Sequence, residues 1–117
     1  MVDDLGQRTA VSASGRTAPA KYLTVDNGSA SPGTCEWPTN GTSAPDTAAN
    51  CAAGGGTFVA QGSRVQVQCV TTGAAYTIYD GATGQPTGTT SNVWYRVINN
   101  LWIRPSGGPV DSGVPAC

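Results

Sequence analysis

The chain contains no histidine, a single lysine (Lys21), a single phenylalanine (Phe58) and only 11% charged residues. Without histidine, the commonest general base and metal ligand is missing. The six cations are scattered and the net charge is −1, so no basic stripe exists to track a phosphate backbone, and nucleic acid is not expected as a partner. No apolar run reaches the roughly eighteen residues that a membrane-spanning helix needs. Long helices are excluded too, because 16 glycines, 8 prolines and many β-branched residues interrupt every candidate segment.

Four cysteines, at positions 35, 51, 69 and 117, stand out against this background. A four-cysteine zinc site usually shows close Cys-x-x-Cys pairs, which are absent here. An even cysteine count in a small, loop-rich chain predicts disulfides and an oxidising, extracellular setting. Met1-Val2-Asp3-Asp4 begins neither a basic nor an apolar segment, so a secreted form is expected to have shed its signal peptide.

The chain divides into two parts. Residues 1–20 have few large apolar side chains and no sustained periodicity, and they read as a flexible arm. Within it, Val11 to Ser14 fit an added strand if a partner offers an edge. Residues 21–117 form the body, at a length that suits one domain. Lys21 to Val25 reads as the first strand and Asp26-Asn27-Gly28 as a turn. Residues 29–56 read as a long irregular loop, stapled by Cys35 and Cys51, with Trp37 packed beneath it or facing a partner. In the chain-entropy treatment that staple contributes about 3 kcal/mol. Asn27 and Asn40 stand in Asn-x-Ser/Thr sequences, which carry glycans only in a eukaryotic secretory route.

The organising stretch runs from Arg64 to Arg104. Thr57 to Ala60 leads into it through a Gln61-Gly62-Ser63 turn. Arg64 to Val70 alternates, with Val65, Val67 and Cys69 on one face. Ala75 to Tyr79 is expected as the next strand, Asp80 to Ser91 as a polar loop, then strands at Asn92–Ile98 and Leu101–Arg104. Asn99-Asn100 between them suits a primed hairpin turn, because asparagine tolerates positive φ. The expected core is Leu23, Val25, Phe58, Val65, Val67, Cys69, Ile78, Val97 and Ile103. Four cysteines allow three pairings. The pairing expected is Cys35 with Cys51, across the loop, and Cys69 with Cys117, which pins the tail to a central strand.

The succession of a strand, a long loop, Gly56–Cys69 (GTFVAQGSRVQVQC), a strand, a polar loop, Asn92–Val97 (NVWYRV) and Leu101–Ser106 (LWIRPS) resembles the bacterial SH3-like (SH3b) domains, above all the small secreted actinomycete type. Tyr22 to Val25 stands where that family has its first strand. The resemblance covers residues 21–117 and implies an all-β, disulfide-stapled SH3-like barrel of five or six short strands. Cys69 and Cys117 match the two cysteine positions that recur in that type. The loop 29–56 is longer than the family pattern, and the residues that bind proline-rich peptides in eukaryotic SH3 domains are not reproduced as a set. A compact stapled body with an N-terminal arm is also similar in outline to the small adaptor of umbrella toxin particles.

Little in the chain suggests catalysis. The acids Asp26, Glu36, Asp46, Asp80 and Asp111 stand singly, and Gly54-Gly55-Gly56 lacks the lysine of a phosphate loop. No enzyme activity and no cofactor or metal are expected. Aromatic residues are the better lead: Tyr79, Trp94, Tyr95 and Trp102 offer a partner-binding face, with Trp94 and Tyr95 on opposite sides of one strand. The arm offers Arg8, Val11 and Arg16, with Lys21 at its junction. The sequence therefore leads to the expectation of a secreted, non-catalytic adaptor for other secreted proteins. The alternatives are a cell-wall glycan-binding module and a protease inhibitor presenting Arg16 or Lys21.

Overall fold

The computed structural model describes residues 19–30, 32–105 and 108–117. Among the described residues the strands are β1 (Lys21–Thr24), β2 (Gly33–Trp37), β3 (Thr57–Ala60), β4 (Arg64–Tyr79), β5 (Pro86–Val97) and β6 (Leu101–Ile103), with one short helix, α1 (Ala48–Ala53). All six strands form one antiparallel sheet in the order β1-β4-β5-β6-β2-β3. The sheet curls into a half-barrel, and at one corner the chain leaving β1 bonds to the turn between β3 and β4. There the Gly62 N–H donates to Val25 O at 2.7 Å, and the Val25 N–H donates to Ser63 O at 2.9 Å. The fold is all-β and disulfide-stapled, as the sequence predicts, with both bridges in the expected pairing, Cys35–Cys51 and Cys69–Cys117.

Strand alternation gives this sheet two cores. Inside the curl lie Leu23, Val25, Val65, Val67, Val97 and Ile103, with Val59, Tyr95 and Leu101 packed against them. On the other face lie Trp37, Tyr76, Trp94 and the Cys35–Cys51 bridge, with Ala44 and Trp102 alongside. The Cys35–Cys51 segment is thus the lid of a second, aromatic core, and Trp37 packs beneath it at 2% exposure. Truncating Val67 to Ala in the inner core is expected to lower stability by roughly 1–3 kcal/mol, read as a shift of the denaturation midpoint.

Several expectations are corrected. Residues 29–56 are not irregular throughout, since they supply β2 and α1. β2 spans only five residues between Pro32 and Pro38, too few to show a period. α1 is started by Thr47, whose hydroxyl accepts from the Asn50 N–H at 3.1 Å. The two strands expected around Thr71–Ala74 are one continuous strand, β4, which absorbs three register shifts against β5. The polar loop expected at 80–91 is shorter, because β5 already begins at Pro86. Its first half is exposed on both faces, so no alternation marks it. Phe58 (36% exposed) and Ile78 (39% exposed) lie outside the core. Phe58 stands on the edge strand β3 with its ring against Gly33, and Ile78 stands on the outer part of the β4–β5 hairpin. The register shift between Val67 and Cys69 takes Cys69 off the valine face, and it is half-buried. Asn99 (φ 48°) and Asn100 (φ 59°) adopt the positive φ expected, although Ile98 joins them in the loop.

The C-terminal tail is a strap. Val110 bridges Leu23, Asp111 exchanges hydrogen bonds with Tyr22, and Ala116 bridges Val70. β1 is therefore flanked by β4 on one side and by the tail on the other.

Candidate binding cleft

The residues that close the aromatic core also floor a cleft. Arg104 follows β6 and, by alternation, falls on the same face as Trp102. It is 4% exposed. Its guanidinium lies 4.6 Å from the Tyr76 ring centroid, 4.7 Å from Trp94 and 5.3 Å from Trp37. Nη1 donates to Ala44 O at 2.6 Å and to Asp46 Oδ1 at 3.1 Å, and Nη2 donates to Thr42 O at 2.9 Å. Asp46 also accepts from the Trp37 indole N–H at 2.8 Å and from the Thr34 hydroxyl at 2.9 Å. Cation, rings and carboxylate form one connected network under the 42–46 segment. Burial raises the Asp46 pKa above the ordinary carboxylate value, against the lowering pull of Arg104 and the two donors. Burial also lowers the Arg104 pKa, with Asp46 acting in the opposite sense.

Above this floor opens a cleft of about 600 Å³. Its walls are the 26–30 loop, Ser43 and Pro45, the end of β4 from Tyr76 to Tyr79, and the 80–84 turn. Asp80 shapes that turn: its Oδ1 accepts from the Ala82 N–H at 2.8 Å and from the Thr83 N–H at 3.2 Å. The turn is held to the opposite wall, backbone to backbone, by the Ala30 N–H donating to Gly81 O at 3.0 Å. Gly28 makes this approach possible. It sits at φ 80°, and a Cβ there would stand 2.1 Å from Gly81 O. Gly28→Ala is accordingly expected to push the two walls apart and to lower stability by roughly 1–3 kcal/mol. Amide hydrogen exchange should localise the loosening to residues 26–30 and 80–84.

The rim combines two chemistries. Ile78 (39%) and Tyr79 (43%) are exposed, large and side by side in sequence at the end of β4. Asp26 and Asp80 are exposed carboxylates that line the same cleft. Counting the lining residues, three carboxylates (Asp26, Asp46, Asp80) face one guanidinium, so the cleft carries an excess of two negative charges.

Of the expected aromatic face, only Tyr79 lines this cleft. Trp94 is 0% exposed and stacks edge-on against Tyr76 at 5.6 Å, so it is core and not contact surface. Tyr95 is half-buried against the inner core. Trp102 is half-buried beside the aromatic core, with the Arg96 guanidinium 5.3 Å from its ring. The four residues do not make one patch, because alternation sends Tyr95 to the opposite face from Trp94 and Trp102. Lys21 is corrected too: it is not in exposed chain but half-buried in β1, paired with Val67. Arg8, Val11 and Arg16 lie outside the described residues. The cleft residues Ile78, Asp26, Asp80 and Arg104 are not among the partner-binding residues expected from the sequence. Their signal is weak in sequence, since the two acids read as ordinary turn formers and Arg104 as a strand end.

Among the described residues, no group of three or more His, Cys, Asp or Glu is placed to hold a metal ion, and no helix is long and apolar enough to cross a membrane. Comparisons with protein-family profiles, with characterised proteins and with solved structures return no match.

Proposed function

We propose that this protein is a secreted, non-catalytic binding module of the bacterial SH3-like type that joins protein components of an extracellular assembly, in the manner of a small adaptor. The observation that carries this reading is the pairing of a rigid, doubly stapled body with a cleft whose rim exposes Ile78 and Tyr79. Exposed large apolar side chains beside a concave site are what protein contacts use. The two disulfides suit an extracellular setting. The arm, with Arg8, Val11 and Arg16, is the second docking element in this proposal.

The test uses the full chain, a chain lacking residues 1–18, and an Ile78→Ser/Tyr79→Ser chain, each immobilised and exposed to culture supernatant of the producing organism. The full chain is expected to retain a defined secreted protein, and each altered chain to lose most of it. Thermal unfolding should stay nearly unchanged in the truncated chain. Sedimentation of the full chain with purified peptidoglycan, without any retained protein, would instead favour a wall-binding module. Stoichiometric inhibition of trypsin that depends on Arg16 would favour an inhibitor.

A further inference from the structure

The cleft floor shows how this fold receives a guanidinium: aromatic rings against it, among them Tyr76, and a carboxylate, Asp46, paired with its Nη1, as both hold Arg104. The same two groups recur at the rim. Tyr79 supplies an exposed ring, and Asp26 and Asp80 supply exposed carboxylates. Among the described residues, no cation forms an ion pair with either rim carboxylate, and the floor guanidinium is already committed to Asp46. From this repetition we infer that the cleft binds a basic side chain, arginine or lysine, carried on an extended segment of a partner protein. This deepens the adaptor reading and rests on it.

The dimensions and the charge agree. A volume of about 600 Å³ lies within the roughly 300–1,000 Å³ of ordinary ligand pockets. It accommodates a basic side chain and parts of its neighbours. The aliphatic stem lies along Ile78 while the head reaches the carboxylates, the usual split of a long cationic side chain between apolar surface and charge. An arginine head also gains from the face of Tyr79. A neutral sugar would bring hydroxyl donors to the two rim carboxylates but no charge to offset theirs. A polymer carrying carboxylates of its own would be repelled. A basic segment both compensates the charge and is drawn in by it.

The experiment is an NMR titration of the ¹⁵N-labelled full chain with acetyl-Ser-Gly-Arg-Gly-Ser-amide, with the same peptide bearing Gln for Arg, and with chitotriose. The Arg peptide is expected to move the backbone amides of Asn27, Gly28, Gly81 and Ala82 in a saturable way, while the Gln peptide leaves them in place. Asp26→Asn/Asp80→Asn keeps the Asx turn and should weaken the Arg peptide about tenfold. Raising the salt from 0.05 to 0.5 M should weaken it in the unaltered chain. Equal shifts by the Gln peptide, shifts away from these amides, or saturation by chitotriose alone would overturn the inference. A secreted partner retained equally by the unaltered and charge-neutralised chains would also overturn it, while leaving the adaptor reading standing. Arginine-specific binding in the cleft with no partner retained by any chain would do the reverse.

Discussion

Asp46→Ala is expected to destabilise the fold by roughly 3–5 kcal/mol, the usual cost of removing one member of a buried ion pair. The Arg104 and Asp46 side chains are 5% and 12% exposed. With Asp46 gone, the Arg104 guanidinium keeps its rings and two carbonyls but loses its counter-charge. Arg104→Lys is not a mild change either, because an ammonium cannot serve Asp46, Ala44 O and Thr42 O while lying flat between rings. By contrast, the apolar pair Arg104→Met/Asp46→Leu removes both charges together and should cost far less than the sum of the single changes. Urea denaturation of the unaltered chain, Arg104→Met, Asp46→Leu and the double variant measures the coupling directly. Additive losses would mean that the ion pair is incidental to the packing.

The same carboxylate sets a pH dependence. Desolvation raises the folded-state pKa of Asp46, and of Glu36 on the inner face, above their ordinary values. In the window just above those ordinary values the folded chain then binds more protons than the unfolded one. Stability from these groups is therefore fully present below the unfolded values and is lost as pH rises through the folded ones. Acidification from about pH 7 to about pH 5 should hold or raise Tm. Asp46→Asn should flatten the part of that profile that belongs to Asp46. A steep loss of Tm across this interval in the unaltered chain would refute the assignment.

Trp94→Ala carries the second large effect, roughly 3–5 kcal/mol, which approaches the whole stability of a small domain. The indole fills the centre of the aromatic core at 0% exposure, and its N–H donates to Ala74 O at 3.0 Å. Gly73 leaves room both for the Asn40 carbonyl, the nearest atom a Cβ there would meet, and for the ring, whose Cδ1 would stand 2.8 Å from it. Removing the ring opens a cavity beneath the Cys35–Cys51 segment and strips Arg104 and Tyr76 of a shared neighbour. Near-ultraviolet circular dichroism and calorimetry should both register the loss. Trp94→Phe should cost less, since it keeps most of the volume and leaves one carbonyl without its donor.

The inner core is legible at Val65 and Val67, which alternate with Arg64, Gln66 and Gln68 at the start of β4. Both disulfides were legible because one spans a proline-rich loop and the other ends a tail. The aromatic core was not, because its members come from β2, α1, β4 and β5 and share no local period. The start of β5 carries no apolar pattern, because Pro86 to Thr90 are all exposed. The cleft is invisible in sequence for a related reason: Asp26 and Asp80 come to line one cleft only because Gly28 and Gly81 let two distant turns approach.

The C-terminal strap has a mechanical consequence. A pull on residues before Lys21 enters the body through β1, which is gripped on both flanks, by β4 and by the strap. Tension along the strand axis loads the four register pairs from Lys21–Val67 to Thr24–Arg64 side by side, in shear, instead of opening them one at a time. The strap is itself riveted to β4 by Cys69–Cys117. Its far end therefore stays on β4 under load, and β1 remains flanked on both sides for as long as the contacts of Pro109, Val110 and Asp111 hold.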